Sequence, residues 1–212
     1  MSGSSAEFVA LTESMKRTAA ALREADVPFA PGGSFAIWAR GGPETVHDLD
    51  VVVRAADADR GLEALEAAGM RGERPPEGWL YKAWDGEVLI DLIWQLSGIE
   101  DIESVLERAT PMRVQSVPLH VMSLEDSIVS KILALDVHNL DLAPLLRICR
   151  AVREQVSWPE VRRRTAHYPY AKPVFALLEA LEVLEPDARE PDHPGGRPVL
   201  RRVAPLGGDE PD

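Results

Sequence analysis

Helical spacing of apolar residues marks the N-terminal part of the chain. Within residues 6–25 apolar side chains recur at intervals of three and four, as an amphipathic helix requires. They are Phe8, Leu11, Met15, Ala19 and Leu22. The same spacing over residues 58–68 predicts a second helix, which Gly69 would end as a C-cap.

Short apolar runs around the second helix indicate β-strands. Between residues 28 and 54 a Gly-Gly turn, a short apolar run and a β-branched run predict strand, turn, short helix and strand. Segments 79–84 and 87–94 flank Asp85-Gly86, a pair that tolerates positive φ, which predicts a hairpin. Further predicted elements are a polar helix over 99–109 and a short strand over 114–121.

The pattern becomes wholly helical after this α/β part. Ser123 and Asp126 are spaced as a capping box, in which each side chain caps a backbone donor, for a helix that reaches Leu135. Further predicted helices cover 140–155, 158–165 and 174–184. From residue 186 onward proline and glycine leave too little apolar material to pack, which predicts a disordered tail.

These elements predict an α/β (α+β) protein built around a mixed β-sheet. The expected organisation is a domain over residues 1–121, a C-terminal helical domain over 122–185 and a tail over 186–212. The 212 residues, 45% hydrophobic and 27% charged, are typical of a globular protein rather than a disordered chain.

Composition excludes a transmembrane protein. No stretch approaches the roughly 18 apolar residues of a membrane span, because Asp91 interrupts the longest run. The N-terminus lacks a basic segment followed by an apolar one, and the single cysteine, Cys149, can form no internal disulfide. We expect a cytoplasmic protein.

The charge is strongly negative but unevenly distributed. A formal net charge of −12 argues against non-specific coating of nucleic acid. One C-terminal segment nevertheless carries seven basic residues against two acids, Glu154 and Glu160. The basic residues are Arg147, Arg150, Arg153, Arg162, Arg163, Arg164 and Lys172. This segment is interpreted either as a positive face or as an ordinary solvated helix surface.

Three aspartates form the strongest candidate for chemistry. Asp48 and Asp50 lie two apart in a predicted strand, so both carboxylates face the same side, where they repel unless cations neutralise them. Asp91 lies within another apolar strand, where an ionised side chain needs a partner. Oxygen ligands favour Mg²⁺, with Mn²⁺ as an alternative. Taken singly, these acids also fit a solvated strand edge and a buried salt bridge.

A glycine turn precedes the acid pair. Gly32 and Gly33 allow a ligand to approach the backbone, and a helix that begins at Ser34 would direct free N–H groups towards an anion such as a triphosphate. Thirteen residues separate Ser34 from Asp48. The combination of this turn, Asp-Leu-Asp and a later single aspartate is far more specific than any of its parts.

This combination resembles the DNA polymerase β-like nucleotidyltransferase superfamily. Gly33, Ser34, Asp48, Asp50 and Asp91 match its motif, and the layout is most similar to the AbiEii-like toxin and lincosamide-type nucleotidyltransferases, over residues 5–185. The resemblance implies two divalent metal ions held by the three aspartates, with Asp91 completing the ion that activates the nucleophile. It also implies that Gly33 and Ser34 hold the β and γ phosphates of an NTP.

A lysine in the C-terminal part extends the resemblance. Lys131 falls almost on the apolar face of the predicted helix, where its ammonium either contacts an anion or snorkels over the edge of the core. AbiEii-like proteins carry a lysine on this helix and an aspartate on the next, which Lys131 and Asp141 match. The implied roles are triphosphate binding for Lys131 and support of that lysine or of the acceptor for Asp141. The basic residues that usually precede this aspartate are replaced by His-Asn-Leu.

Two function classes follow from these observations. The first is an enzyme that transfers an NMP from an NTP to a hydroxyl acceptor. The expected acceptor is RNA, the tRNA 3′ end, in a toxin–antitoxin-like setting with a cognate antitoxin, and the basic segment supports it. The alternative acceptor is a small hydroxylated molecule such as a cationic antibiotic, which the negative net charge suits. The second class is a non-catalytic nucleotide-binding partner protein, against which the presence of all three acids weighs.

Overall fold

The computed structural model describes residues 6–45 and 48–186. The helices are α1 (Ala6–Glu24), α2 (Gly33–Trp38), α3 (Ala58–Ala67), α4 (Ile102–Glu107), α5 (Leu124–Leu133), α6 (Leu142–Val152), α7 (Trp158–Thr165) and α8 (Ala171–Ala180). The strands are β1 (Phe29–Pro31), β2 (Asp48–Val53), β3 (Arg71–Glu73), β4 (Leu80–Asp85), β5 (Val88–Ile93), β6 (Thr110–Val114) and β7 (Val117–Val121). Short 3₁₀ turns occupy 55–57 and 153–155.

A mixed five-stranded sheet forms the centre of the N-terminal part. Its strand order is β1-β2-β5-β4-β3, with β2 and β5 parallel and the other neighbours antiparallel. Strands β6 and β7 form a separate antiparallel hairpin. The predicted α/β class and mixed sheet are confirmed.

The two faces of the sheet have different chemistry. Alternate residues of β2 and β5, including Leu49, Val51 and Leu92, are fully buried and face helices α1 and α3. Each such side chain contributes about 1.5 to 3 kcal/mol of burial free energy. The residues between them, Asp50 and Asp91 among others, point to the opposite face, where α2 and α5 lie. Packing of the apolar face holds the sheet in place, and the other face carries the charged side chains.

The C-terminal helices pack around α5, which also contacts α2. Ser123 caps α5, since its Oγ accepts a hydrogen bond from the amide of Asp126 at 3.0 Å. The reciprocal half of the predicted capping box is replaced by other contacts. The Asp126 carboxylate is fully buried and accepts hydrogen bonds from the Ser123 hydroxyl, Arg108 and Arg164, because two guanidiniums neutralise it better than a backbone amide.

Several predicted boundaries are wrong for identifiable reasons. Helix α4 is shorter than predicted because Asp101 caps it by accepting from the Ser104 amide. Helix α6 begins later because Asp141 caps it. Helix α8 begins earlier than the apolar spacing indicates, at Ala171. It also ends earlier, because Glu182 adopts a left-handed conformation with φ 55° just beyond its end.

Two strands lie outside the prediction, and one turn is shifted. Strand β3 is a short polar segment, and β6 turns into β7 through Gln115 and Ser116, both at positive φ without a glycine. The β4–β5 hairpin is confirmed, but its two loop residues are Gly86 and Glu87 rather than Asp85 and Gly86. Gly86, at φ 62°, occupies the first loop position, which leaves Asp85 paired in the strand.

Within the described residues no helix has the length and apolar character needed to cross a membrane. The predicted tail lies outside the described part of the chain from residue 187 onward.

Candidate active site

Three aspartates converge on the polar face of the sheet. Asp50 on β2 is the register partner of Asp91 on β5, and Asp48 precedes Asp50 on the same face. One carboxylate oxygen from each of the three lies within 4.8 Å of the others. Asp91 is 8% exposed, and the other two are partly buried. The parallel pairing of two strands thus brings together acids 41 residues apart in sequence, the difference between positions 91 and 50.

The carboxylates of the three aspartates repel one another. Burial, reinforced by the Asp48 carboxylate, raises the pKa of Asp50 from an ordinary 3.8 to about 7, against the opposing effect of Lys131. Burial also raises the pKa of Asp91, although Lys82 acts in the opposite direction. Three oxygen donors that repel one another are the ligand set expected for a hard divalent cation such as Mg²⁺ or Mn²⁺.

The glycine turn lies directly against this cluster. Gly33 has φ 53°, and a Cβ atom there would stand 1.7 Å from Oδ2 of Asp50. The Gly32 amide donates to the Asp50 carbonyl at 2.8 Å. Glycine is therefore required at position 33 both for its backbone conformation and for the space taken by the carboxylate.

Lys131 reaches the same place from α5. Its Nζ donates to Ser34 Oγ at 3.2 Å, which links residues 97 positions apart. Of the two alternatives for this lysine, contact with an anionic site and snorkelling over the core edge, its place beside Ser34 and Asp50 favours the first.

A cleft of about 210 Å³ opens beside the acids between the sheet and α5. Gly33, Asp50 and Lys131 line one part of it, and Trp79 and Gln95 line another. Trp79 is 39% exposed, so an aromatic face is available to a ligand.

Asp141 is not placed with these residues. Its exposed carboxylate accepts from the Ala143 amide at 3.2 Å and caps α6. The cleft is lined by other residues, and the role of Asp141 towards the lysine or the acceptor stays a prediction.

One residue of the site escaped the sequence prediction. Lys82 on β4 is the register partner of Asp91, and its Nζ lies 3.1 Å from Asp91 Oδ1. The signal that could have found it is the hairpin register, because a loop at Gly86-Glu87 pairs position 82 with position 91.

Two solved structures have a fold similar to that of this chain. A crystal structure of ANT(2'')-Ia in complex with adenylyl-2''-tobramycin is similar with a TM-score of 0.54 and 18% identity, over 74% of this chain and 97% of that one. A solution structure of the antibiotic-resistance factor ANT(2'')-Ia gives 0.52 and 17%, over 79% and 94%. At such identities the similarity is one of fold.

The family is shown by sequence. No curated protein matches the chain significantly. A family model described as an uncharacterised nucleotidyltransferase matches residues 9–184. These matches support the nucleotidyltransferase superfamily, though not the AbiEii-like toxins in particular, and they confirm the predicted enzyme class. The chain belongs to this family of uncharacterised nucleotidyltransferases.

Proposed function

We propose that the protein transfers a nucleoside monophosphate from an NTP to a hydroxyl group of a small, cationic acceptor, with Mg²⁺ as cofactor and Mn²⁺ as an alternative. The observation that carries the proposal is the convergence of Asp48, Asp50 and Asp91 within 4.8 Å beside the glycine turn. In the reaction the acceptor hydroxyl loses its proton to water, and its oxygen bonds to the α-phosphorus. The bond from that phosphorus to the bridging oxygen breaks, and pyrophosphate leaves.

The chain's own residues divide this work by position. Lys131 and Ser34, already hydrogen-bonded to each other, bind the β and γ phosphates together with the backbone of Gly32 and Gly33. A cation and a hydroxyl at this point offset the negative charge of the leaving pyrophosphate.

The three aspartates hold the metal. Their oxygen donors, their mutual repulsion and the raised pKa of Asp50 fit a divalent cation, and we expect that Asp48, Asp50 and Asp91 would together hold two such ions. When bound, such ions supply positive charge to the attacking and leaving oxygens.

A small cationic acceptor is favoured by charge. The chain carries a net charge of −12. The basic C-terminal segment supports an RNA acceptor, but some of its arginines are neutralised by ion pairs within the protein. Arg164 pairs with Asp126 and Glu160, and Arg162 pairs with Glu179. The similar fold of ANT(2'')-Ia, whose complex contains adenylyl-2''-tobramycin, supports the same acceptor class.

An RNA acceptor is the second candidate, with a toxin-like role and a cognate antitoxin as its implied setting. Arg147, Arg150 and Arg163 remain exposed on α6 and α7 and support it. These arginines would contact phosphates rather than bases.

Label transfer separates the candidates. The purified full chain is incubated with Mg²⁺ and each α-³²P-labelled NTP, with a panel of aminoglycosides and lincosamides or with total tRNA. The Asp48→Ala/Asp50→Ala variant is the matched control. We expect label on a small molecule from the wild type alone.

The other outcomes are equally informative. Label in tRNA from the wild type alone would replace the small acceptor by RNA. NTP binding without transfer to any acceptor would favour the non-catalytic nucleotide-binding protein. Absence of both NTP binding and transfer in the presence of Mg²⁺ or Mn²⁺ would overturn the enzymatic proposal.

A further inference from the structure

A row of charged side chains crosses four strands at one level of the sheet. Register pairing aligns Asp50 with Asp91, Asp91 with Lys82, and Lys82 with Glu73. Paired residues of adjacent strands share a face, so the row has the charge order minus, minus, plus, minus. One cation is therefore built into the acidic face beside the metal-binding carboxylates.

Lys82 is engaged with the most buried of these acids. Its Nζ donates to Asp91 Oδ1 at 3.1 Å, and its side chain is 27% exposed against 11% for Asp91. Lys82 also opposes the rise in the pKa of Asp91 and of Asp50, so its charge lies within electrostatic reach of both carboxylates. A metal ion that uses Asp91 has to approach a carboxylate that already has a cationic partner.

We propose that Lys82 is a resident counter-ion that occupies Asp91 in the metal-free protein and competes with a divalent cation for it. Lys82 is thus a positioning residue that acts through Asp91 and opposes metal binding. The inference rests on the proposed metal-dependent function, because it concerns the affinity of the same three aspartates for the ion.

The geometry gives the lysine a route away from Asp91. A lysine ammonium sits on a flexible four-carbon stem, and Glu73, the register partner of Lys82 on the other side, is half-exposed on β3. Both acids flank Lys82 on the same face, so an ammonium displaced from Asp91 would have Glu73 as its next acidic neighbour, although the Glu73 carboxylate also lies 3.8 Å from the Arg71 guanidinium. A divalent ion carries twice the charge of the ammonium, so at sufficient concentration it displaces the ammonium from the Asp91 carboxylate.

The test is a Mn²⁺ titration of the full chain, with free Mn²⁺ measured by electron paramagnetic resonance. Lys82→Met removes the charge and keeps the length of the side chain, and Lys82→Gln is the second variant. Lys16→Met is the matched control, because Lys16 pairs with Glu13 on the surface of α1. We expect Lys82→Met to bind Mn²⁺ about tenfold more tightly than the wild type, and Lys16→Met to stay within about twofold.

A double-mutant cycle shows whether the effect passes through Asp91. In an Asp91→Asn background, Lys82→Met should no longer tighten Mn²⁺ binding, since the contested carboxylate is gone. A general change of net charge would instead persist in that background, and a merely structural lysine would weaken binding when removed.

Three results would overturn the proposal. They are equal Mn²⁺ affinity in the wild type and both Lys82 variants, weaker binding in those variants, and an undiminished effect in the Asp91→Asn background. In each of these the wild type still binds Mn²⁺, so the proposed function stands. Failure of every protein, wild type included, to bind Mn²⁺ would overturn the proposed metal dependence as well.

Discussion

Two groups of buried carboxylates in this molecule have opposite electrostatic balance. Asp126 on α5 is fully buried, and Arg108 and Arg164 donate to it at 2.8 and 2.6 Å. Burial alone would raise its pKa, but hydrogen bonds from Arg108, Ser123 and Arg164 hold the pKa of Asp126 below its usual value. Asp50 is partly buried, but burial and the neighbouring Asp48 carboxylate raise its pKa to about 7.

The difference separates a structural acid from a functional one. The Asp126 carboxylate is neutralised by partners that the fold itself supplies, and it joins α5 to the chain after α4 and to α7. Around Asp50 the fold supplies two further carboxylates and too little positive charge to balance them. An acid cluster that the protein leaves unbalanced is one that a ligand from outside can stabilise.

Removal of the charge at Asp126 should have the largest effect on stability. Asp126→Asn leaves two guanidiniums without their shared partner, and breaking such a buried pair costs about 3 to 5 kcal/mol. We expect this loss of unfolding free energy in urea. Asp136→Asn, in the exposed turn that follows α5, is the control. A loss below about 1 kcal/mol would show that the two sites do not differ as described.

Removal of the charge at Asp50 should instead increase the free energy of unfolding. The pKa of Asp50 is about 7 in the folded protein and about 4 in the unfolded chain. Between these pH values the unfolded chain has released this proton and the folded protein has not. The metal-free protein therefore loses stability as the pH rises from about 4 to about 7. One pKa unit corresponds to about 1.4 kcal/mol, and with solvent screening we expect Asp50→Asn to gain about 1 to 3 kcal/mol at pH 7. Urea unfolding in the presence of a chelator measures this.

The same pair of proteins provides its own control at low pH. Near pH 4 Asp50 is protonated in the folded wild type, so the variant and the wild type should unfold at similar urea concentrations. A variant that is less stable than the wild type at pH 7 would contradict the description of an unbalanced cluster.

The smallest effect concerns the contact between the turn and the cluster. Gly33→Ala forces an alanine into the left-handed region, and that conformation alone costs about 1 to 2 kcal/mol. Its Cβ would also stand 1.7 Å from Oδ2 of Asp50. We also expect weaker Mn²⁺ binding, since the carboxylate has to move. Gly32→Ala is the control, because its Cβ would meet the flexible Met122 sulfur at 3.1 Å and its φ is −121°. Equal losses in the two variants would refute the specific role of Gly33.

Sequence patterns predicted the site best where the chemistry is local. The spacing of Asp48 and Asp50 fixes their common face, and the preceding glycines mark a close approach of the backbone, so these residues could be named in advance. Asp91 followed from the cost of an acid within an apolar strand. The mixed sheet was predicted from the order of the helices and strands, and the enzyme class from the resemblance that the motif carries. Both predictions are confirmed.

The predictions that failed concern contacts between residues distant in sequence or the exact position of a turn. Asp126 fits a local capping box, and its arginine partners 18 and 38 residues away give no signal in the local pattern. With Asp85-Gly86 as the loop, Leu80 would face Asp91. The observed loop lies one residue later in the chain, which moves the strand pairing by two residues and puts Lys82 opposite Asp91. The β6–β7 turn was missed because Gln115 adopts a positive φ, as does the residue after it, without the usual glycine or asparagine.

The glycine turn also has a mechanical consequence. The Gly32 amide is bonded to the Asp50 carbonyl at 2.8 Å, and the Pro31 carbonyl, one residue earlier, accepts from the Met122 amide at 3.0 Å. The turn is therefore tied by its backbone both to the strand that bears the acids and to the segment that leads into α5. Ser34, which follows the turn, accepts a hydrogen bond from Lys131 on α5. The phosphate-binding residues proposed here are therefore fixed from both parts of the chain, the sheet and the helical segment.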